Sequence, residues 1–173
     1  MKNKTCCFTG HRPNKLFGYD LSNPNYQILA KKIKYVAKVL IEQNGVDTFI
    51  TGGALGVDTV AFFAIQSLKK DYPHIKNILA IPFIGQQNMW KSQIDLDRYD
   101  RMLKLADETI IVENIPQYKG YSFAQKLNNR NHYMVDNSNY MIAVHDGTKG
   151  GTYNCIEYAK QSKLQYCTII KPK

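Results

Sequence analysis

The sequence predicts an α/β fold, a doubly wound and mainly parallel sheet with helices on both faces. Three observations carry that prediction. The hydrophobic period switches repeatedly between short apolar runs and longer helical stripes. The short runs are almost continuously apolar, as strands covered on both faces must be. The chain has 173 residues, enough for one such domain with a full core and too few for two comfortable ones. No internal repeat, low-complexity tract or linker divides it, so residues 1–173 are expected to form a single domain.

Taken in order, residues 5–9 read as the first strand, and its neighbouring Cys6 and Cys7 must point to opposite faces. From 25 to 44, Leu29, Ile33, Val36, Ala37, Leu40 and Ile41 recur at helical spacing. Gly45 then fits a C-terminal glycine. A strand is expected over 48–51, followed by a helix with Val57, Val60, Ala61, Ala64, Ile65 and Leu68 on one stripe. Residues 78–83 form the next apolar run, with Pro82 near its end. A helix over about 94–105 leads to a strand at 109–112, and a loop over 114–121 holds Pro116 and Gly120. A helix near 122–137, a strand at 140–144, a helix over about 151–162 and a strand at 167–170 complete the series.

Composition narrows the function classes. The chain is 44% hydrophobic and 21% charged, which is ordinary for a globular protein. No apolar run approaches the roughly 20 residues that span a membrane. The N-terminus enters a strand-like segment without the architecture of a signal peptide, so a cytoplasmic location is expected. Cys6, Cys7, Cys155 and Cys167 show no C-x-x-C spacing and read as reduced thiols in preference to a redox or zinc site. The net charge is +9, and residues 1–40 carry eight Lys and Arg against Asp20 alone. That balance favours an anionic partner. The same lysines, Lys31, Lys32, Lys34 and Lys38, also fit the solvated face of a helix.

Ligands of such sheets sit outside the C-terminal strand ends, where the strand order reverses. Two glycine-bearing junctions stand there, Gly52-Gly53-Ala54-Leu55-Gly56-Val57-Asp58 and Asp146-Gly147-Thr148-Lys149-Gly150-Gly151-Thr152. A glycine turn between strand and helix lets backbone N–H groups approach an anion that the helix dipole helps to hold. Gly52 to Asp58 matches neither the Walker pattern nor the G-x-G-x-x-G fingerprint, so neither an ordinary NTPase nor an ordinary NAD enzyme is supported. Asp58 can complement the dipole of its helix, or bond a ribose or another loop. After the first strand, Gly10 permits a tight turn, His11 follows, and Arg12 offers a planar fork for phosphate. Trp90, the single tryptophan, lies in an amide-rich loop and can either stack on a base or pin that loop to the domain.

These segments carry a resemblance. Thr9-Gly10-His11-Arg12-Pro13, Gly52 to Asp58, Gln87-Asn88-Met89-Trp90-Lys91 and Asn131-His132-Tyr133-Met134-Val135-Asp136 together resemble the YpsA-like (DUF1273) proteins of the SLOG superfamily. That superfamily also holds the DNA-processing protein DprA and the LOG nucleoside-monophosphate phosphoribohydrolases. The resemblance covers nearly the whole chain in the right order. It implies a Rossmann-like fold and a nucleotide or nucleotide-derived ligand.

LOG hydrolases resemble R-x-x-x-M followed by P-G-G-x-G-T-x-x-E, with Arg and Glu serving N-glycosidic cleavage. Here Arg130 and Met134 keep the first spacing, and Gly150-Gly151-Thr152 echoes part of the second. The proline is missing, and Glu157 stands five residues after Thr152 instead of three. Two extra residues turn a carboxylate by roughly 200° around a helix. Glu157 is therefore expected to leave the cleft, and the catalytic residues stay unassigned with Arg130 and Glu157 as the nominated pair.

The reading that follows is the binding or sensing of an ADP-ribose- or NAD-like small molecule. Gly10, His11, Arg12, Gly52, Gly53, Gly56, Asp58, Trp90, Asn131, Gly150, Gly151 and Thr152 are its expected contacts. A phosphoribohydrolase is the alternative enzyme. Single-stranded DNA binding of the DprA kind is the third reading, and a nucleic-acid partner ranks below the small molecule. Homo-oligomerisation is compatible with all three, and no membrane partner or cofactor is expected. No His, Asp and Glu set shows ligand spacing, so no metal is indicated.

Overall fold

The computed structural model describes residues 4–173. The strands are β1 (Lys4–Gly10), β2 (Val46–Thr51), β3 (Lys76–Ile81), β4 (Glu108–Ile111), β5 (Tyr140–Val144) and β6 (Tyr166–Ile170). The helices are α1 (Pro24–Asn44), α2 (Val57–Leu68), α3 (Gln93–Leu105), α4 (Phe123–Asp136) and α5 (Gly151–Lys160). The strands form one six-stranded sheet in the order β4-β3-β2-β1-β5-β6, and every pairing is parallel. This is the expected doubly wound arrangement, and the order reverses between β1 and β5.

Alternation along the strands explains the two faces. Cys6, Phe8, Phe49, Ile142 and Val144 pack with α1 and α2 on one side. Cys7, Ile50, Ile78, Met141 and Ala143 pack with α4 and α5 on the other. Cys6 and Cys7 thus face opposite ways, and burial raises the pKa of both thiols. All four cysteines are free. Leu79 and Ile81 pack with Phe62 of α2 and with Tyr99 and Met102 of α3. Each fully buried aliphatic or aromatic side chain in these layers contributes about 1.5–3 kcal/mol.

Local signals explain the boundaries. Asn23 caps α1 through the N–H of Asn25, with Pro24 in the first turn. Gly45 ends it in the left-handed region at φ 69°. The chain enters β2 at once, so this strand begins at Val46 and not at 48. β3 is displaced from 78–83 to Lys76–Ile81, because Pro82 has no N–H to extend a ladder. Its carbonyl instead accepts the N–H of Glu113 at 3.2 Å. β4 is likewise displaced, by one residue, from 109–112 to Glu108–Ile111, as Val112 turns into a 3-10 segment. Ser122 and Gln125 form a reciprocal capping box at the start of α4.

Candidate functional site

The reversal between β1 and β5 splays the loops that follow them, and a cavity of about 290 Å³ lies there. Gly10, His11, Arg12 and Lys15 line it from the β1 side, and Gly150, Gly151 and Thr152 from the start of α5. Ala54 and Asp58 reach it from the α2 side, and Leu127, Arg130, Asn131 and Met134 from α4. Eight of the twelve expected contacts therefore share one cavity: Gly10, His11, Arg12, Asp58, Asn131, Gly150, Gly151 and Thr152.

Gly10 is required by packing. A Cβ there would stand 2.4–2.6 Å from the side chain of Val57, so its absence brings the start of α2 against β1. Val57 N–H donates to the carbonyl of His11 at 3.2 Å, tying the two loops together.

The cavity is cationic. Arg12 is exposed at its rim, and among the described residues it joins no ion pair. Lys15 reaches across to the β5 loop, donating to Thr148 Oγ1 at 3.1 Å and the Lys149 carbonyl at 3.3 Å. The N-terminus of α5 carries Gly150 at the cap, which provides no side-chain hydrogen bond. Its first N–H groups have no side chain to satisfy them, which is the condition for an anion at a helix start.

Arg130 plays an internal part. It is 4% exposed, and its Nη1 donates to the Gly52 carbonyl at 2.5 Å while lying 3.6 Å from Asp58 Oδ2. Nε donates to Asn131 Oδ1 at 3.0 Å. Burial lowers the guanidinium pKa, and the charge of Asp58 works in the opposite direction. Asp58 Oδ2 also accepts the N–H of Ala54 at 3.1 Å. Asp58 is thus tied to a loop and an arginine from within the first turn of α2.

Four expected contacts lie outside the cavity lining. A Cβ on Gly52 would fall 1.6 Å from Arg130 Nη1, so this glycine admits the arginine. Gly53 adopts φ +69°, and its carbonyl and that of Gly52 accept from Gln86 Nε2 at 3.4 and 3.3 Å. Gly56, at φ +91°, lets the loop pass the backbone of His11 and Arg12. Trp90 packs edge-on to Tyr99 with ring centroids 5.3 Å apart, pinning its loop to the α3 layer.

The nominated catalytic pair is not assembled. Glu157 lies on the outer side of α5, where it accepts from Lys160 Nζ at 2.7 Å. The spacing after Thr152 had placed it there.

Sequence reasoning missed Lys15 as a cavity residue and His145 as a neighbour of His11. The rings of His11 and His145 lie 5.3 Å apart, and His11 Nε2 stands 2.8 Å from Asp146 Oδ1. Hydrogen bonds from the Thr148 hydroxyl and N–H, followed by the contact with His11, hold the Asp146 carboxyl well below its ordinary pKa. The only sequence signal was that His11 and His145 each follow directly on a strand end.

Comparison with known proteins agrees with this fold. The family model described as the YspA SLOG family, YpsA, matches residues 6–171. The chain belongs to the YpsA family of SLOG proteins. It is 43% identical over 150 residues to the uncharacterised SPbeta prophage-derived protein YoqJ of Bacillus subtilis, covering 83% of this chain and 87% of that one. It is 31% identical over 145 residues to a UPF0398 protein of Shouchella clausii, covering 83% and 74%. Among solved structures, DNA processing protein A from Helicobacter pylori, described for its single-stranded DNA binding mode, superposes with a TM-score of 0.52 at 17% identity. That match covers 91% of this chain and 61% of the other, and it concerns the fold. Among the described residues, no helix is long and apolar enough to cross a membrane.

Proposed function

We propose that the cavity between β1 and β5 binds a nucleotide-derived small molecule of the ADP-ribose or NAD kind, and that the protein acts as a binder or sensor. The observation that carries this reading is the convergence of Arg12, Lys15 and the uncapped start of α5 on one cavity. Its carboxylate, Asp58, is already engaged by Arg130 and the Ala54 N–H. A site with cations, free helix N–H groups and no uncommitted acid favours phosphate. The volume lies at the lower end of small-molecule pockets, which run from about 300 to 1,000 Å³. It suits a phosphoribosyl portion, with the rest of the ligand along the open rim. Asn131 supplies an amide for a ribose hydroxyl.

The binder reading is preferred to a hydrolase because Glu157 is turned away and paired with Lys160. Cleavage of an N-glycosidic bond needs an acid or base near the leaving base. The DNA reading draws on the net charge of +9 and the single-stranded DNA binding of the Helicobacter neighbour. Lys31, Lys32 and Lys38, however, lie exposed on α1, whose residues do not line the cavity.

Calorimetric titration with ADP-ribose, NAD, AMP and a thymidine oligonucleotide, with chromatography of the recovered ligand, tests the proposal. The expected result is saturable binding of a phosphorylated small molecule that is recovered intact. Binding of the oligonucleotide alone would contradict it and favour the DNA reading. Release of free base at more than roughly 1 per second, the usual enzyme range, would contradict it in favour of the hydrolase.

A further inference from the structure

Two imidazoles and a carboxylate meet where β1 and β5 end side by side. Gly10 is opposite Val144 in the parallel register, so His11 and His145 leave neighbouring strands together. Both are buried, at 4% and 8% exposure. One potential donor atom from each of His11, His145 and Asp146 lies within 4.8 Å of the other two.

Each ring is held from one side. His145 Nε2 donates to the Thr148 carbonyl at 2.9 Å. A carbonyl only accepts, so Nε2 carries the proton and the neutral ring keeps its lone pair on Nδ1. This is how metal-binding histidines are commonly oriented, one nitrogen anchored on a carbonyl and the other left to coordinate. The Asp146 carboxylate is fixed in turn, its Oδ1 accepting from Thr148 N at 2.9 Å and Thr148 Oγ1 at 2.7 Å. The β5 loop therefore orients two of the three groups through Thr148 alone.

We propose that His11, His145 and Asp146 bind a divalent transition-metal ion, with zinc the best match. Two imidazole nitrogens and one carboxylate oxygen suit zinc and its late first-row neighbours, and three protein ligands leave a fourth position open. Tetrahedral bonds of about 2.0–2.2 Å put donor atoms roughly 3.4 Å apart, so the His11–Asp146 contact of 2.8 Å opens while the other separations, within 4.8 Å, close onto the ion. Asp146 is the group that supplies this movement, being the exposed member of the set and part of a loop. His11 also lines the cavity, whereas His145 and Asp146 do not, so the ion would sit at the cavity's edge. The metal site nevertheless stands on its own geometry and does not depend on the nucleotide reading.

The test uses the untagged full chain, stripped with a chelator and titrated with Co²⁺ followed by visible absorption, then with Zn²⁺ in competition. One Co²⁺ per chain is expected, with ligand-field bands that Zn²⁺ abolishes. His11→Ala and His145→Ala should each weaken binding by about 100-fold or more, and Asp146→Asn by about 10-fold or more. His74→Ala and His132→Ala, at the other two histidines of the chain, should leave it unchanged. Circular dichroism checks each variant, and if His11→Ala does not fold, His145→Ala and Asp146→Asn decide the matter. Absence of saturable binding below millimolar Co²⁺ would overturn the proposal. So would binding that survives both His145→Ala and Asp146→Asn.

Discussion

The loop after β2 and the loop after β5 look alike in sequence and do different work. The first, Gly52 to Gly56, is filled by its own protein. Arg130 occupies the space beside Gly52, Gln86 binds the carbonyls of Gly52 and Gly53, Asp58 holds Ala54 N–H, and Gly56 passes against the backbone of His11. The second, Gly147 to Gly151, is open. A Cβ on Gly147 or Gly151 would meet nothing within 4 Å, and no side chain caps the helix that follows. Glycine content alone therefore does not mark an anion site. What distinguishes the two is whether the small residues make room for other parts of the protein or for solvent.

The largest expected effect breaks the closed loop. Arg130→Ala leaves Asp58 buried without its partner and should lower stability by about 3–5 kcal/mol. Urea denaturation measures it, and a loss under 1 kcal/mol would mean that the β2 loop is not held by this pair. Next, Arg12→Ala should weaken a phosphorylated ligand by about 1.5–3 kcal/mol while leaving stability nearly unchanged. Calorimetry and denaturation on the same sample separate the two effects, and equal affinity would remove Arg12 from the site.

Gly151→Ala sharpens the contrast from the open side. Its added methyl meets no neighbour and sits in the first turn of α5, so stability should rise by at most about 1 kcal/mol. Ligand affinity should fall, because Gly151 lines the cavity. The same change at Gly52 collides with Arg130, and thermal denaturation should show a loss of stability there. The smallest effect belongs to Glu157→Gln. Its pair with Lys160 is solvent-exposed and contributes little to stability. Ligand binding should be unchanged within error, and a marked loss of affinity would return Glu157 to the site.

Much of the fold was legible because its signals are local. The Leu29–Ile41 stripe and Gly45 define α1, and the paired Cys6 and Cys7 show that β1 is covered on both sides. Boundary differences also have local causes, as with Pro82 at the end of β3. The strand order was not local, and it decided the site. Nothing in the spacing of Gly10 and Val144 says that they are neighbours, so the approach of His145 and Asp146 to His11 stayed hidden. The occupant of the Gly52 loop was equally hidden, because Arg130 arrives from a helix 78 residues away. The pairing of Glu157 with Lys160, by contrast, lies within a single helical turn of α5.

An anionic ligand is expected to enter at the β1–β5 reversal and not at the β2 loop. Amide chemical-shift mapping by heteronuclear nuclear magnetic resonance, with ADP-ribose or AMP titrated into the labelled protein, tests it most directly. The largest saturable shifts are expected on Gly10 to Lys15 and on Gly150 to Thr152, with the amides of Gly52 and Gly53 nearly still. Shifts concentrated on Gly52 to Gly56, with Gly150 to Thr152 unmoved, would contradict it.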